Sequence, residues 1–158
     1  MMAIYKMPSM NQKIIIGMLI IISIISFKTL LANEPRYTIH VEVHNLRNSN
    51  GTVLISLYSR EDAFPDENYK KYLKQIVGKI IDGTSSMSFE NVPPGKYAVT
   101  ILHDEDNNGK IKKGRLLPLE GIGFSKYQSI GILNRPTFSK ASFYLQSDTT
   151  IAIKILYF

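Results

Sequence analysis

From Tyr37 onward, apolar side chains recur at every second position, and this alternation constrains the fold more than any other feature of the chain. Successive side chains of a β-strand point to opposite faces, so residues 37–44 form a half-buried strand with one wet face. A second alternating run begins at Val53. Asn50-Gly51 lies between the two runs and tolerates positive φ, which predicts a hairpin.

The remaining periodicity predicts an all-β protein. Further short strands are expected around Gly78 and at 87–89, 97–103, 141–145 and 151–157. Residues 97–103 are apolar at most positions, which indicates a central strand buried on both faces, after a type II turn with positive φ at Gly95. Helical spacing of apolar residues predicts one short surface helix over 66–75. We therefore expect a single antiparallel β-sandwich of about seven strands, in preference to a barrel.

The first 32 residues differ sharply from the rest, because they contain no acid and place Lys6 and Lys13 ahead of a 14-residue apolar stretch, Ile14 to Phe27. A membrane-spanning helix needs about 20 residues and a secretory apolar region roughly 7–15. This stretch predicts a signal peptide over 1–32, cleaved after Ala32, ahead of a β-sandwich domain over 33–158. The alternative is an uncleaved N-terminal anchor. Either form implies export, to the periplasm or the extracellular space of a bacterium.

Composition narrows the function. The chain has no cysteine, which excludes disulfides, thiolate metal sites, a cysteine nucleophile and lipid attachment. Without residues 1–32, 16 basic and 13 acidic side chains remain over 126 residues, a net charge of +3. This balance argues against nucleic-acid binding. The sequence also lacks a G-x-S-x-G elbow, a phosphate-binding glycine loop and an H-E-x-x-H motif.

An acidic segment, H-D-E-D-N-N-G-K at 103–110, follows the predicted central strand. Carboxylate and amide oxygens stand at positions one, three and five of a D-x-[DN]-x-[DN]-G calcium loop, and Gly109 stands where its sharp turn needs glycine. Position twelve, normally an acid, is Arg115, and Glu120 is the nearest later carboxylate. The candidate calcium ligands are Asp104, Asp106, Asn108, Lys110 and Glu120.

The same residues also suit a plain acidic turn whose side chains cap their own backbone amides, and that alternative stays open. His103 has the parity of the inward-facing residues, which favours a buried, hydrogen-bonded histidine over a general base. On the wet face of the first strand, His40 and His44 stand about 13 Å apart. We expect ordinary surface residues there rather than a metal site.

Three segments, F-E-N-V-P-P-G-K-Y-A-V at 89–99, the acidic segment, and E-G-I-G-F-S at 120–125, occur in an order and spacing that resembles the domain of unknown function 2141 family of secreted bacterial proteins. The resemblance extends from Ile39 to Phe158. It implies an exported β-sandwich of the transthyretin-like or immunoglobulin-like kind, with no established activity. Glu120 matches the family's acid before the glycine-aromatic loop, and Lys112 stands where the family commonly has an acid.

Two functional hypotheses follow. The first is a non-catalytic binding or envelope-associated module that recognises a small molecule, a glycan or an envelope protein through loops 104–127, with His103, Phe124 and Tyr127 as candidate ligand-binding residues. The second is a hydrolase that uses Asp104, Asp106 or Glu120, with or without a metal. Catalysis requires two carboxylates facing each other across a concave pocket, whereas a binding module does not.

Overall fold

The computed structural model describes residues 9–32, 34–66, 68–115, 117–131 and 133–158. The chain divides into two compact units, residues 1–35 and 36–158. The first contains helix α1 (Met10–Ala32), whose apolar side chains between Ile14 and Ile22 are exposed. Within the described ranges, no helix is both long and apolar enough to cross a membrane. Lys6 and Asn33, the predicted start of the mature chain, lie outside the described residues.

The second unit is a sandwich of two β-sheets, which confirms the predicted fold class. Its strands are β1 (Tyr37–His44), β2 (Thr52–Tyr58), β3 (Lys74–Gly78), β4 (Ser85–Val92), β5 (Gly95–Asp104), β6 (Gly121–Phe124), β7 (Phe143–Leu145) and β8 (Thr149–Lys154). One sheet has the order β4-β1-β8. The other has the order β3-β2-β5-β6, and β7 also pairs with β5.

The space between the sheets is filled by one hydrophobic cluster, here called the inter-sheet core. Alternation along β1, β2 and β5 supplies most of it, because every second residue of each strand faces the opposite sheet. Its fully buried members include Ile39, Val41, Val43, Val53, Ile55, Leu57, Val99, Ile101, Leu145 and Ile155. As predicted, β5 is central and is buried on both faces from Tyr97 to Asp104.

The five-stranded sheet carries a second hydrophobic cluster, here called the outer cluster, on the face turned away from the inter-sheet core. Chain connections and the short helix α2 (Phe138–Ala141) cover this face. Its buried members include Leu54, Tyr58, Phe64, Tyr69, Leu102, Ile122, Phe124, Tyr127 and Phe138. The sandwich therefore gains a third layer made of loops, and both candidate sites described below lie against it.

The predicted hairpin at Asn50-Gly51 is wrong. β1 pairs antiparallel with β4 and parallel with β8, whereas β2 pairs with β3 and β5, so the 45–51 connection crosses from one sheet to the other. The turn residues are still required, because Gly51 has φ +68° and a Cβ there would collide with the backbone carbonyl of Asp104. The sandwich thus contains one parallel pair and eight strands, against the roughly seven antiparallel strands expected.

The predicted helix over 66–75 is also wrong. Lys74 already begins β3, and Tyr69 has φ +49°, a left-handed value that an α-helix excludes. The short helix of this unit is α2. At the turn before β5, Gly95 does not have the predicted positive φ, because the left-handed residue is Asn91 at φ +56°.

Candidate functional site

Register places the acidic segment at one end of the five-stranded sheet. Asp104 is the last residue of β5 and lies opposite Thr52, while His103 lies opposite Gly121. The alternation of β5 sends His103 toward the inter-sheet core and Asp104 toward the outer face. The two adjacent polar residues of the acidic segment, His103 and Asp104, therefore lie on opposite faces of the sheet.

The carboxylate of Asp104 organises the turn that follows β5. Its Oδ1 accepts the backbone N–H of Asn108 at 3.0 Å and its Oδ2 accepts that of Gly109 at 2.8 Å. Asn108 Oδ1 in turn accepts the N–H of Lys110 at 2.8 Å. Gly109 has φ +72°, the left-handed value for which glycine is favoured. These are the self-capping bonds of the plain-turn alternative.

Glu120 joins this turn to the next loop. Its Oε1 accepts the backbone N–H of Glu105 at 3.0 Å, and its Oε2 accepts that of Lys112 at 2.7 Å. Leu119 N–H donates to the carbonyl of Lys112 at 2.8 Å, which closes the base of a loop over 112–119. Glu120 is 2% exposed, so removing its oxygens would leave two covered N–H groups without acceptors.

The structure brings Asp104, Asp106 and Glu120 together, with one oxygen of each within 4.8 Å of the others; we call this set the acidic group. Each bonded carboxylate of Asp104 and Glu120 uses about two of its four lone-pair positions on N–H groups, which leaves capacity for a cation. Lys112 Nζ lies 3.3 Å from Asp106 Oδ2 and would compete with that cation. The acidic group thus has the donor chemistry to hold a hard divalent ion.

A salt bridge that the sequence analysis missed anchors the acidic turn from the other side. Arg47, in the connection between β1 and β2, pairs with Glu105 through both guanidinium Nε and Nη2. The hydrogen bond from Arg47 lowers the pKa of Glu105 to about 2, against partial burial, which raises it. Asn48 Nδ2 also donates to Glu105 at 2.6 Å, and Arg47 Nη2 donates to the carbonyl of Leu119.

His103 is fully buried and lies in a chain of hydrogen bonds. Its Nε2 is 3.0 Å from the carbonyl of Asn50, and its Nδ1 is 2.7 Å from the hydroxyl of Tyr157. Because a carbonyl only accepts, Nε2 donates to it, and in the neutral ring Nδ1 then accepts a hydrogen bond from the Tyr157 hydroxyl. Tyr157 Oη also accepts the N–H of Arg47 at 3.1 Å. Both ring nitrogens of His103 therefore bond within the fold.

The two predicted aromatic anchors belong to the outer cluster. Phe124 is 8% exposed and packs edge-on against Phe64 and Tyr127. The hydroxyl of Tyr127, which is 5% exposed, donates to the carbonyl of Arg135 and accepts the N–H of Thr137. Phe124 borders a cavity, described next, and the hydroxyl of Tyr127 is hydrogen-bonded to the backbone of the loop that follows it.

A concave, mainly apolar cavity of about 310 Å³ opens on the outer face of the five-stranded sheet; we call it the outer cavity. Its floor is formed by Thr100 of β5 and by Ile122 and Phe124 of β6, and loops form its walls. The wall residues are Pro65, Asp66, Tyr69, Ile111, Lys113, Gly114, Arg115, Leu117, Pro118, Ile130 and Pro136. Most of these wall residues lie between 110 and 136, where four glycines interrupt the sequence periodicity, and long irregular segments of this kind are commonly functional.

Two lining residues of the outer cavity, Tyr69 and Thr100, carry buried hydroxyl groups, and the buried hydroxyl of Tyr58 lies near Thr100. Tyr69 Oη donates to the carbonyl of Ile101 at 3.3 Å. Within the described residues, Tyr58 Oη and Thr100 Oγ1 have no partner that meets strict hydrogen-bonding geometry. Burial raises the pKa of Tyr58 to about 12 and also raises the pKa of Tyr69, while the nearby Thr100 hydroxyl acts to lower both. The floor therefore consists of neutral groups.

The acidic group and the outer cavity are mechanically connected. The Glu120–Lys112 bond and the Leu119–Lys112 bond fix both ends of the loop that forms one wall of the cavity. Neither Asp104, Asp106 nor Glu120 lines the cavity itself. The acids thus support the wall without facing the space that it encloses.

The histidines of β1 lie on its exposed face. His40 bonds Ser88 of β4 through Nδ1. His44 Nε2 lies 3.7 Å from Glu42 Oε2, and both side chains are nearly half exposed. Their exposure is the one that strand parity predicts.

Residues 41–153 match the model of a family described as uncharacterised proteins conserved in bacteria, domain of unknown function 2141 (DUF2141). The chain belongs to this family. The resemblance inferred from three sequence segments is thereby confirmed, and the DUF2141 match includes the acidic group and every described wall of the outer cavity. No curated protein and no solved structure shows significant similarity to the chain.

Proposed function

We propose that this protein is an exported, non-catalytic binding module whose ligand occupies the outer cavity. The observation that carries the proposal is the cavity itself, because a concave apolar space of about 310 Å³ with a few polar groups at its edge has the form of a small-molecule site. Its walls come from described residues at 65–66 and 69, at 111–115 and 117–118, and at 130 and 136, beside the five-stranded sheet. Binding sites are commonly built in this way, with variable loops on a fixed scaffold.

The position of the carboxylates supports binding over hydrolysis. Asp104 and Glu120 are each 2% exposed, and both oxygens of each accept backbone N–H groups. A general acid or base must reach its substrate directly or through one water. These two side chains are buried and lie outside the cavity. Their hydrogen bonds to backbone N–H groups indicate that they stabilise the loops.

The binding proposal is tested with the fluorescent probe 1-anilinonaphthalene-8-sulfonate, which reports apolar sites. Ile111→Trp places a large ring in the cavity, and Ile81→Trp makes the same change at a side chain that is 67% exposed. We expect the first variant to bind less probe than the second, with both folded by circular dichroism. Equal probe binding by the two variants would contradict the proposal.

The acidic group supports a second, structural role, as a calcium site formed by Asp104, Asp106 and Glu120. The observation in its favour is that three carboxylate oxygens converge within 4.8 Å while two of the acids are buried. Calcium should then raise the melting temperature by binding the folded state. Asp106→Asn should reduce the rise without breaking a backbone cap, and Asp62→Asn, at an exposed acid elsewhere, should not. Identical melting curves in calcium and in chelator would refute the site.

Export is proposed from the first 32 residues, whose basic start and short apolar stretch have the form of a signal peptide. Mass spectrometry of the protein isolated from bacterial cells should place the mature N-terminus near Asn33. An intact Met1 would count against cleavage and favour an N-terminal anchor.

A further inference from the structure

The mouth of the outer cavity carries positive charge. Residues 110–115 contain four basic side chains, and two of them, Lys113 and Arg115, line the cavity. A third, Lys112, turns to Asp106. Among the described residues of the lining, the acid is Asp66, whose carboxylate accepts the backbone N–H groups of Asn68, Lys70 and Lys71 and keeps its negative charge. The described lining therefore has two basic side chains against one acid, and Arg115 is an exposed cation at its edge.

The interior offers the opposite chemistry. Ile111, Ile122, Phe124 and Ile130 present apolar surface, and the floor beside Thr100 is neutral. A charged group placed at this floor would be desolvated without a counter-ion, which is costly. An apolar group there would instead gain the free energy of burial. A ligand with one charged end must therefore enter with its apolar end first.

We propose that the outer cavity binds a small amphipathic anion, with its apolar body inside and its carboxylate at Arg115. This inference rests on the proposed function and names its ligand class. The planar guanidinium of Arg115 can pair with a carboxylate through two parallel hydrogen bonds. The volume of about 310 Å³ lies at the lower limit of ligand pockets, which fits one short acyl chain or one aromatic ring.

The test compares decanoate with decanol, which share an apolar chain and differ in head-group charge. The readout is the isoleucine methyl NMR spectrum of the purified protein. Ile111, Ile122 and Ile130 line the cavity and should shift on titration, while Ile39 and Ile55 in the inter-sheet core should not. We expect decanoate to bind about fivefold more tightly than decanol at low salt, and this difference to shrink as salt is added.

Arg115→Glu should abolish the preference for decanoate, and Lys154→Glu, a charge reversal on exposed β8, should retain it. Equal affinities for decanoate and decanol in the unmodified protein would overturn the charge assignment and leave the binding module standing. Methyl shifts absent from Ile111, Ile122 and Ile130 with both probes would overturn the ligand class and the proposed function together. Loss of the preference in both charge reversals would also overturn the assignment, because it would show a general field effect.

Discussion

The outer face of the five-stranded sheet has two regions that differ in almost every physical respect. At the end of β5, the acidic turn is dense in charge, and Asp104, Glu105 and Glu120 all bond to groups of the fold. In the middle of the same face, the outer cavity is mainly apolar, and among the described residues the hydroxyl of Thr100 in its floor has no partner at strict hydrogen-bonding geometry. The first region is rich in charged side chains that are hydrogen-bonded within the fold. The second region is mainly apolar and encloses open space.

This difference teaches that reactive residue types and binding capacity separate in this molecule. The residues that a sequence reader notices first, from His103 to Lys110, hold loops in place. The outer cavity lies where the sequence shows mainly scattered isoleucine, proline and aromatic residues. Glu120 connects the two regions, because it fixes the loop that forms one wall of the cavity.

The largest expected effect comes from the layer beneath both regions. Ile101 of β5 is fully buried in the inter-sheet core. Ile101→Ala should lower the free energy of unfolding by about 2–5 kcal/mol, through lost burial and the cavity left behind. Chemical denaturation measures this change. A loss under about 1 kcal/mol would mean that the strand is only loosely packed.

Glu120→Gln tests whether the acidic turn supports the cavity wall. The amide offers one oxygen in place of two, so one of the N–H groups of Glu105 and Lys112 loses its acceptor. We expect a loss of about 1–3 kcal/mol in unfolding free energy, together with weaker probe binding in the cavity. Asp106→Asn, which breaks no backbone cap, is the matched control. Unchanged probe binding in a destabilised Glu120→Gln would show that the two regions are independent.

The salt bridge of the acidic turn predicts an acid dependence of stability. The pKa of Glu105 is lowered to about 2 from its ordinary 4.5, chiefly by the hydrogen bond from Arg47. The stabilisation is therefore present above about pH 4.5 and is lost as the pH falls toward 2. Arg47→Met should flatten this part of the curve of unfolding free energy against pH. An unchanged slope in that variant would contradict the assignment to this pair.

The smallest expected effects come from the same type of substitution, threonine to valine, made once in each region. The expected changes in unfolding free energy differ between the two regions. Thr52→Val removes a hydroxyl that donates to Asn107 at 3.0 Å beside the acidic turn, and should cost about 0.5–1.5 kcal/mol. Thr100→Val removes a buried hydroxyl that has no partner at strict hydrogen-bonding geometry in the described part of the chain, and should leave stability unchanged or raise it by up to about 1 kcal/mol. Equal losses in both variants would show that Thr100 is satisfied after all.

Much of the fold follows from local sequence. Period-two alternation located β1, β2 and β5, and predicted that β5 is buried on both faces, because that pattern depends only on which side of a strand each residue faces. The same parity predicted that His103 is buried. The family was also predicted correctly, because the resemblance depends on three short segments and their order along the chain, both of which are visible in the sequence.

Strand partners and loop conformations did not follow, because they depend on distant residues. β1 pairs with β4 and β8, and nothing in the 45–51 connection specifies those partners. Tyr69, Tyr72 and Leu73 imitate helical spacing, but burial of Tyr69 in the outer cluster fixes it in a left-handed conformation. The outer cavity is assembled from several separate segments, so the irregular stretch between 110 and 136 marks part of its wall but does not show which other residues complete it.

The central claim is that ligand recognition occurs in the outer cavity and that the acidic turn is structural. The most direct measurement is the set of intermolecular nuclear Overhauser effects between bound decanoate and the purified protein. We predict contacts from the alkyl chain to the methyl groups of Ile111, Ile122 and Ile130. Contacts confined to residues 104–110, or no contacts at all in unit 36–158, would contradict it.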